Sequence, residues 1–170
     1  LLWQYAQNVG TYHCPGDTRF TLPVGTGSTV GWAYDSYAKT DNFGGEGKGG
    51  ITDYTKLSEV RRPSETWAFV EQSDSRGFNE GSFEMRWNRP GSITYVDIFA
   101  LYHGYVNTFC FADAHVEYHK WSDSKIIATG VLGAEGKIYE FSTQPMLVDG
   151  HGYYTDNAYV LSHWLFPKNF

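Results

Sequence analysis

The stretch 103-HGYVNTFCFADAHVEYHKW-121 decides how the chain is read. Three histidines, an aspartate, a glutamate and a cysteine fall within it. It reads either as a metal or catalytic site or as a β-hairpin with one polar face. A two-residue turn at Asp113-Ala114 pairs Ala112 with His115, Phe111 with Val116, Cys110 with Glu117 and Phe109 with Tyr118. Strand side chains alternate, so Phe109, Phe111, Val116 and Tyr118 are expected on one apolar face. Thr108, Cys110, His115, Glu117 and His119 are expected on the other. A type I′ turn needs positive φ at both central residues, and Ala114 meets that demand only with strain or with a different turn. His103 lies ten residues from Asp113, roughly 33 Å along an extended strand at ~3.3 Å per residue. The two therefore form no dyad. His115, Glu117 and His119 line one strand at alternate positions, about 6.6 Å apart along the backbone, too widely spaced to close on one small ion unaided. That face is expected to be solvated.

Outward from the hairpin, the 170 residues suffice for one domain with a core. Aromatics reach 18%, with 13 Tyr, 11 Phe and 6 Trp, and the charged fraction is 19%. The composition is that of a folded chain. The net charge is −6, and the longest basic run is Arg61-Arg62. No nucleic acid partner is expected from that balance. The aromatics fill a β-rich core or present flat apolar faces to a sugar or protein. Cys14 and Cys110 are too few for a zinc motif or a disulfide scaffold, and one bridge between them stays open. No apolar run approaches the ~20 residues that cross a bilayer.

Leu1, Leu2, Tyr5 and Val9 fall close to helical spacing, and Gly10 suits the position after a C-cap. Residues 1–10 are thus expected to be the last turns of an amphipathic helix. With no Met at its start, the chain reads as a fragment of something longer. Pro15-Gly16-Asp17 is turn chemistry. Residues 24–50 read as a long surface loop around a short apolar piece, Val30 to Tyr34. A short helix is expected within 52–66, with Leu57 and Val60 on one face and Pro63 as its stop. The run 66-TWAFVE-71 predicts a central strand. Residues 72–92 read as an exposed excursion, 137–143 as a strand, 149–157 as a loop, and 158–166 as strand or helix. No linker divides the chain, so residues 1–170 are read as a single domain.

Four pieces, in order, carry a resemblance: 14-CPGD-17, 36-SYAKTDN-42, 57-LSEVRRPSETWAFVE-71, and His103 with Asn107, Phe111-Ala112-Asp113 and His115 in H-x9-D spacing. Together they resemble the prepilin-type H-x9-DG proteins, a pseudopilin-like family similar to the G-type pseudopilins of type II secretion. The resemblance covers about residues 1–121. It implies an α+β fold: the C-terminal part of a long N-terminal helix packed on an antiparallel sheet, a pilin-like head with long loops. It implies an extracytoplasmic protein, on the periplasmic face of the inner membrane or at the cell surface. Its membrane contact would run only through an N-terminal helix, and its partners would be other pseudopilin or secretion-system subunits. Cys14, Pro15, Glu71, His103, Asn107 and Asp113 would then be fold residues, with His103 on a carbonyl at the sheet end, Asn107 tying a loop and Asp113 on turn amides. Ala114 stands where the family has Gly, and residues 122–170 match no motif of it; they are read as an unassigned extension of the same domain.

G-type pseudopilins hold calcium near a C-terminal loop, and Asp149, Asp156 and Asn157 are the oxygen donors such a loop would use here. Three side chains fall short of the six or more oxygens a hard cation takes, so no metal is assigned and calcium stays a weak candidate. A binding module is the alternative class, with Trp32, Tyr34, Tyr37, Trp87, Tyr153 and Tyr154 as ligand-facing rings for a polysaccharide or a protein. Catalysis has acids and bases to draw on, namely Glu71, Asp74, Asp113, Glu117, His119 and His151. The chain holds no G-x-S-x-G, H-E-x-x-H or P-loop pattern, and no enzyme is expected.

Overall fold

The computed structural model describes residues 2–22, 34–44, 53–73, 82–89, 92–136, 145–147 and 155–165. It is an α+β arrangement. The strands are β1 (Tyr37–Thr40), β2 (Trp67–Ser73), β3 (Ser82–Phe83), β4 (Met85–Arg89), β5 (Ser92–Tyr95), β6 (Ile98–Phe99), β7 (Val106–Phe111), β8 (Val116–Lys120) and β9 (Pro145–Leu147). The helices among the described residues are α1 (Ser124–Ala134) and α2 (Thr155–His163). The main sheet runs β3-β1-β2-β7-β8, with β6 pairing the end of β2. It is mixed rather than antiparallel, because β3 joins β1 in parallel. A second sheet runs β4-β5-β9.

β2 takes the central place its apolar run predicts, between β1 and β7. Trp67 on β2 stacks on Phe109 at 4.3 Å between ring centroids. Phe99 stacks on Trp121 at 4.6 Å and on Phe83 at 4.8 Å. The buried aromatics thus form one continuous cluster, which Ile126 of α1 and Val160 and Trp164 at α2 complete. Asp123 caps α1, its carboxylate accepting from the Lys125 and Ile126 amides. Gly130 brings α1 tight to the β6 segment: a Cβ there would stand 2.5 Å from Leu101 Cγ and 2.9 Å from the Phe99 carbonyl oxygen.

Several expectations are overturned. Among the described residues 2–12 there is no α-helix; Leu2–Gln4 and Val9–Tyr12 are short 3-10 turns. Tyr5 is 82% exposed and Val9 54%, so the helical spacing has no surface to pack on, and a lone short helix is marginal in water. Asn8 instead caps the second turn through the Gly10 amide. Within 52–66 two 3-10 turns replace the helix, and Pro63 opens the second rather than ending a helix. Tyr37–Thr40 is a strand, not loop. Within 72–92, read as an exposed excursion, Ser82–Phe83 and Met85–Arg89 are strands and Phe83 and Met85 are core; Ser92–Tyr95 is a further strand with Tyr95 buried. Residues 155–163 are helical, which settles the strand-or-helix alternative and removes the end of the predicted 149–157 loop. The predicted strand at 137–143 lies outside the described residues.

The hairpin slips by one residue from its expected register. Cys110 pairs with Val116, Phe109 with Glu117, Thr108 with Tyr118 and Asn107 with His119. The loop has three residues: the Phe111 amide bonds the His115 carbonyl, and the Ala114 amide bonds the Phe111 carbonyl. Ala114 sits at φ 74°. A two-residue turn would have required positive φ at Asp113 as well, so the longer loop halves the strain. The slip moves Val116 and Tyr118 to the outer face, 60% and 77% exposed. It turns His115, Glu117 and His119 to the side of Phe109 and Phe111. That side is not simply solvated: His119 stacks on Tyr159 of α2 at 3.7 Å, and His115 stacks on Phe111 at 4.2 Å.

Candidate functional site

Polar residues from distant parts of the chain meet where the turn at 14–19, the end of β2 and the loop before β7 come together. The Pro15-Gly16 turn is closed by the Asp17 amide on the Cys14 carbonyl at 2.9 Å. It leaves the Gly16 amide pointing at Cys14 Sγ, 3.3 Å away. Gly16 is needed there: a Cβ would stand 3.0 Å from the Tyr102 carbonyl oxygen and 3.2 Å from His103 Cε1. The turn can therefore close on the 102–103 loop. Cys14 Sγ lies 3.0 Å from His103 Nε2. The same nitrogen lies 3.3 Å from Glu71 Oε1.

β2 delivers Glu71 to this point with its side chain fully buried. Its second oxygen, Oε2, accepts from the Thr108 amide at 2.9 Å and from Asn107 Nδ2 at 3.5 Å. Asn107 also donates to the Ala100 carbonyl and accepts from Trp121 Nε1 at 2.5 Å. It thereby ties the β6–β7 loop and the end of β8 to β2. Burial pushes the Glu71 carboxyl up, against the Thr108 amide and His103, which favour its charge. Burial likewise pushes the Cys14 thiol up, against the Gly16 amide.

Beside this cluster stands a buried ion pair. Arg19 Nε and Nη2 grip Asp17 Oδ1 and Oδ2 at 3.0 and 2.8 Å. Ser36 donates to Asp17 Oδ2 at 2.8 Å and accepts from the Cys14 amide at 3.0 Å, joining the two groups. The Arg19 guanidinium stands 5.2 Å from the centre of the Tyr102 ring. Burial alone would raise the Asp17 carboxyl, but Arg19 outweighs it and holds the pKa below the ordinary value.

The residues singled out in the sequence divide into groups. Cys14, Pro15, Glu71, His103 and Asn107 meet at this one place. His103 faces a thiol and a carboxylate, not the carbonyl expected of it. Asp113 is apart, at the hairpin turn, where its Oδ1 accepts from the His115 amide at 3.2 Å and meets His115 Nδ1 at 2.5 Å. Of the calcium candidates, Asp156 sits in the first turn of α2 and accepts from the Ser122 and Asp123 amides at 2.7 and 2.5 Å. Its other oxygen meets His119 Nε2 at 3.1 Å. Asn157 Oδ1 accepts from the Tyr95 hydroxyl at 3.1 Å. Both therefore anchor α2. Tyr34 is 41% exposed and stacks on His13 at 4.1 Å. Trp87 belongs to β4, and Trp32, Asp74, Asp149, His151, Tyr153 and Tyr154 lie outside the described residues. The two cysteines are free, Cys14 buried and Cys110 half-buried on the outer side of β7.

Sequence reading missed Arg19, Trp121 and Tyr102. The Asp17-x-Arg19 spacing directly after a Pro-Gly turn is the one signal that pointed to the first. An aromatic whose N–H needs a buried partner is indistinguishable in sequence from any other core Trp.

On the sheet face turned away from the aromatic core, the face that also carries Glu71 opposite Tyr37, lies an open groove of about 1210 Å³, lined by Trp3, Tyr5, Tyr12, Tyr37, Phe69 and Val116 among others. No family model, no curated protein and no solved structure matches the chain.

Proposed function

We propose that this chain is the non-catalytic head of a pseudopilin-like protein of a type II secretion or type IV pilus-like system. In this reading it is extracytoplasmic and meets other pseudopilin or secretion-system subunits through an N-terminal membrane helix. The observation that carries the reading is the meeting of Cys14, Ser36, Glu71, His103 and Asn107. They come from the separate stretches that bear the resemblance, and they pack at one end of β2. Residues that hold four distant segments together act as fold residues, and most of their polar atoms bond backbone or one another. The apolar groove on the outer sheet face, beside the N-terminal segment, is where a helix laid on the sheet would pack.

The test is the parent coding region upstream of Leu1. A short basic leader, then Gly and an apolar helix of about 20 residues with a Glu near its start, is the expected result. A cleavable secretory signal or another folded domain in that place overturns the reading.

The groove favours a second reading, an extracytoplasmic binding module. Trp3 and Tyr5 are 51% and 82% exposed at its edge. Electrophoresis through gels containing soluble polysaccharides separates the two. Retardation that Trp3→Ala and Tyr5→Ala remove supports the module; migration equal to that in a plain gel removes its carbohydrate form.

A further inference from the structure

Cys14, Glu71 and His103 are, among the described residues, a set whose donor atoms Sγ, Oε1 and Nε2 all lie within 4.8 Å of one another. Two chemistries use such a trio. In a nucleophilic relay the imidazole takes the thiol proton on one nitrogen and is oriented by the carboxylate through the other. Here Nε2 alone faces both Sγ and Oε1, so no proton can pass through the ring. Cys14 is also fully buried, out of reach of an electrophile. The three atoms converge on one point instead, as metal ligands do.

We propose that Cys14, Glu71 and His103 bind a zinc-class divalent transition metal. Tetrahedral zinc, with bonds of about 2.0–2.3 Å, holds its donor atoms roughly 3.3–3.6 Å apart. The Sγ–Nε2 and Nε2–Oε1 separations of 3.0 and 3.3 Å need only a slight withdrawal of His103. That side chain is 44% exposed and is followed by Gly104 at φ 72° on an open loop, so it can move. The carboxylate atom turned into the site is Glu71 Oε1: it is buried and meets His103 Nε2 of the same trio at 3.3 Å. Its sister oxygen is held by Thr108 and Asn107, which aim Oε1 into the site as outer partners of a metal ligand do. The Gly16 amide aimed at Sγ supports a thiolate in the same way. One thiolate, one imidazole and one carboxylate make a borderline-soft donor set, suited to zinc, cobalt or nickel and unsuited to calcium or magnesium. The ion would staple the 14–16 turn, β2 and the loop before β7, three segments that sequence holds far apart. The assignment stands on these three side chains and does not depend on the filament reading.

The experiment uses the untagged chain, stripped with chelator and titrated with Co²⁺. Expected is one equivalent bound, with a thiolate-to-cobalt charge-transfer band in the near ultraviolet and intense visible bands of tetrahedral cobalt. Zn²⁺ should displace it stoichiometrically. Cys14→Ser should abolish the charge-transfer band. His103→Ala, on an exposed loop where folding is safe, should weaken Co²⁺ binding at least about tenfold, with unchanged circular dichroism. Cys110→Ser and His115→Ala should leave the band intact. A folded wild-type chain with no such band overturns the assignment, and so does an unchanged Co²⁺ affinity in His103→Ala or a band that disappears in Cys110→Ser.

Discussion

His103 and His115 flank β7 at its two ends, and each faces a carboxylate: Glu71 Oε1 at 3.3 Å from His103 Nε2, Asp113 Oδ1 at 2.5 Å from His115 Nδ1. The shorter contact is the weaker argument for a site. Asp113 and His115 are two residues apart, about a third exposed each, and shared with Glu117 at 3.3 Å. Water screens such a pair, and its geometry follows from the hairpin turn alone. Glu71 is buried on a central strand, thirty-two residues from His103, and brought to it only by the whole fold. Burial and sequence separation, rather than distance, mark the end of β7 where side chains determine the architecture.

The comparison breaks most readily at the buried end. Asp17→Ala would take from Arg19, 2% exposed, its bidentate carboxylate, and removing one member of a buried ion pair costs about 3–5 kcal/mol. Chemical denaturation should show a midpoint shift of that size. A shift under ~1 kcal/mol, the range of an exposed pair, would erase the distinction drawn between the two ends. The next largest effect is at Asn107. Asn107→Ala removes the acceptor of Trp121 Nε1 and a donor to the Ala100 carbonyl, both buried. Stranded groups of this kind cost about 1–3 kcal/mol each, so a loss of at least about 2 kcal/mol is expected by the same measurement.

At the other end of β7 the sign reverses. Ala114 holds φ 74°, a strain of about 1–2 kcal/mol for a residue with a β-carbon. Glycine relieves it and loses roughly 0.5–1 kcal/mol through its freer unfolded chain. Ala114→Gly should therefore stabilise the protein by about 0.5–1 kcal/mol, read from the same unfolding curves. Destabilisation would mean that the three-residue loop is not the native turn.

The same contrast governs what the sequence could tell. β2 was legible because a central strand is apolar on both faces, and the 66–71 run says so without outside help. The hairpin was legible as a hairpin but not in register, since two loop lengths differing by one residue exchange its faces and only the φ demand on Asp113 separates them. The opening segment misled, because helical spacing reports a helix only where the stripe is buried, and Tyr5 and Val9 are exposed. Helix α1 was hidden for a different reason: Gly130 and Gly133 lower its helix propensity, yet they are what lets it lie against β6. The cluster of Cys14, Glu71 and His103 was named residue by residue, but its assembly was not visible. A convergence of side chains from positions 14, 71 and 103 is a property of topology, and no local pattern encodes it.

The smallest effect tests whether the exposed end is a pair at all. The Asp113 hydrogen bond pushes the His115 pKa above its ordinary 6.5, and the same contact holds Asp113 below its ordinary 3.8. The raised histidine contributes stability that is full below pH 6.5 and fades as pH rises through its folded pKa. The depressed aspartate contributes stability present above pH 3.8 and lost as pH falls through its folded pKa. Their mutual support is thus confined to the mildly acidic window between. Both groups are at the surface, so the stability change should be small and the titration is the sharper probe. Ring-proton NMR should place the His115 midpoint above 6.5, and Asp113→Asn should lower it, with Glu117 retaining part of the shift. A midpoint that Asp113→Asn leaves in place would assign the shift to Glu117 and reduce the turn contact to packing. Added salt separates the cases further: an exposed pair should lose its shift as the Debye length shrinks from about 10 Å at 0.1 M to about 3 Å at 1 M, whereas the buried Asp17–Arg19 pair should hold its stability contribution largely unchanged.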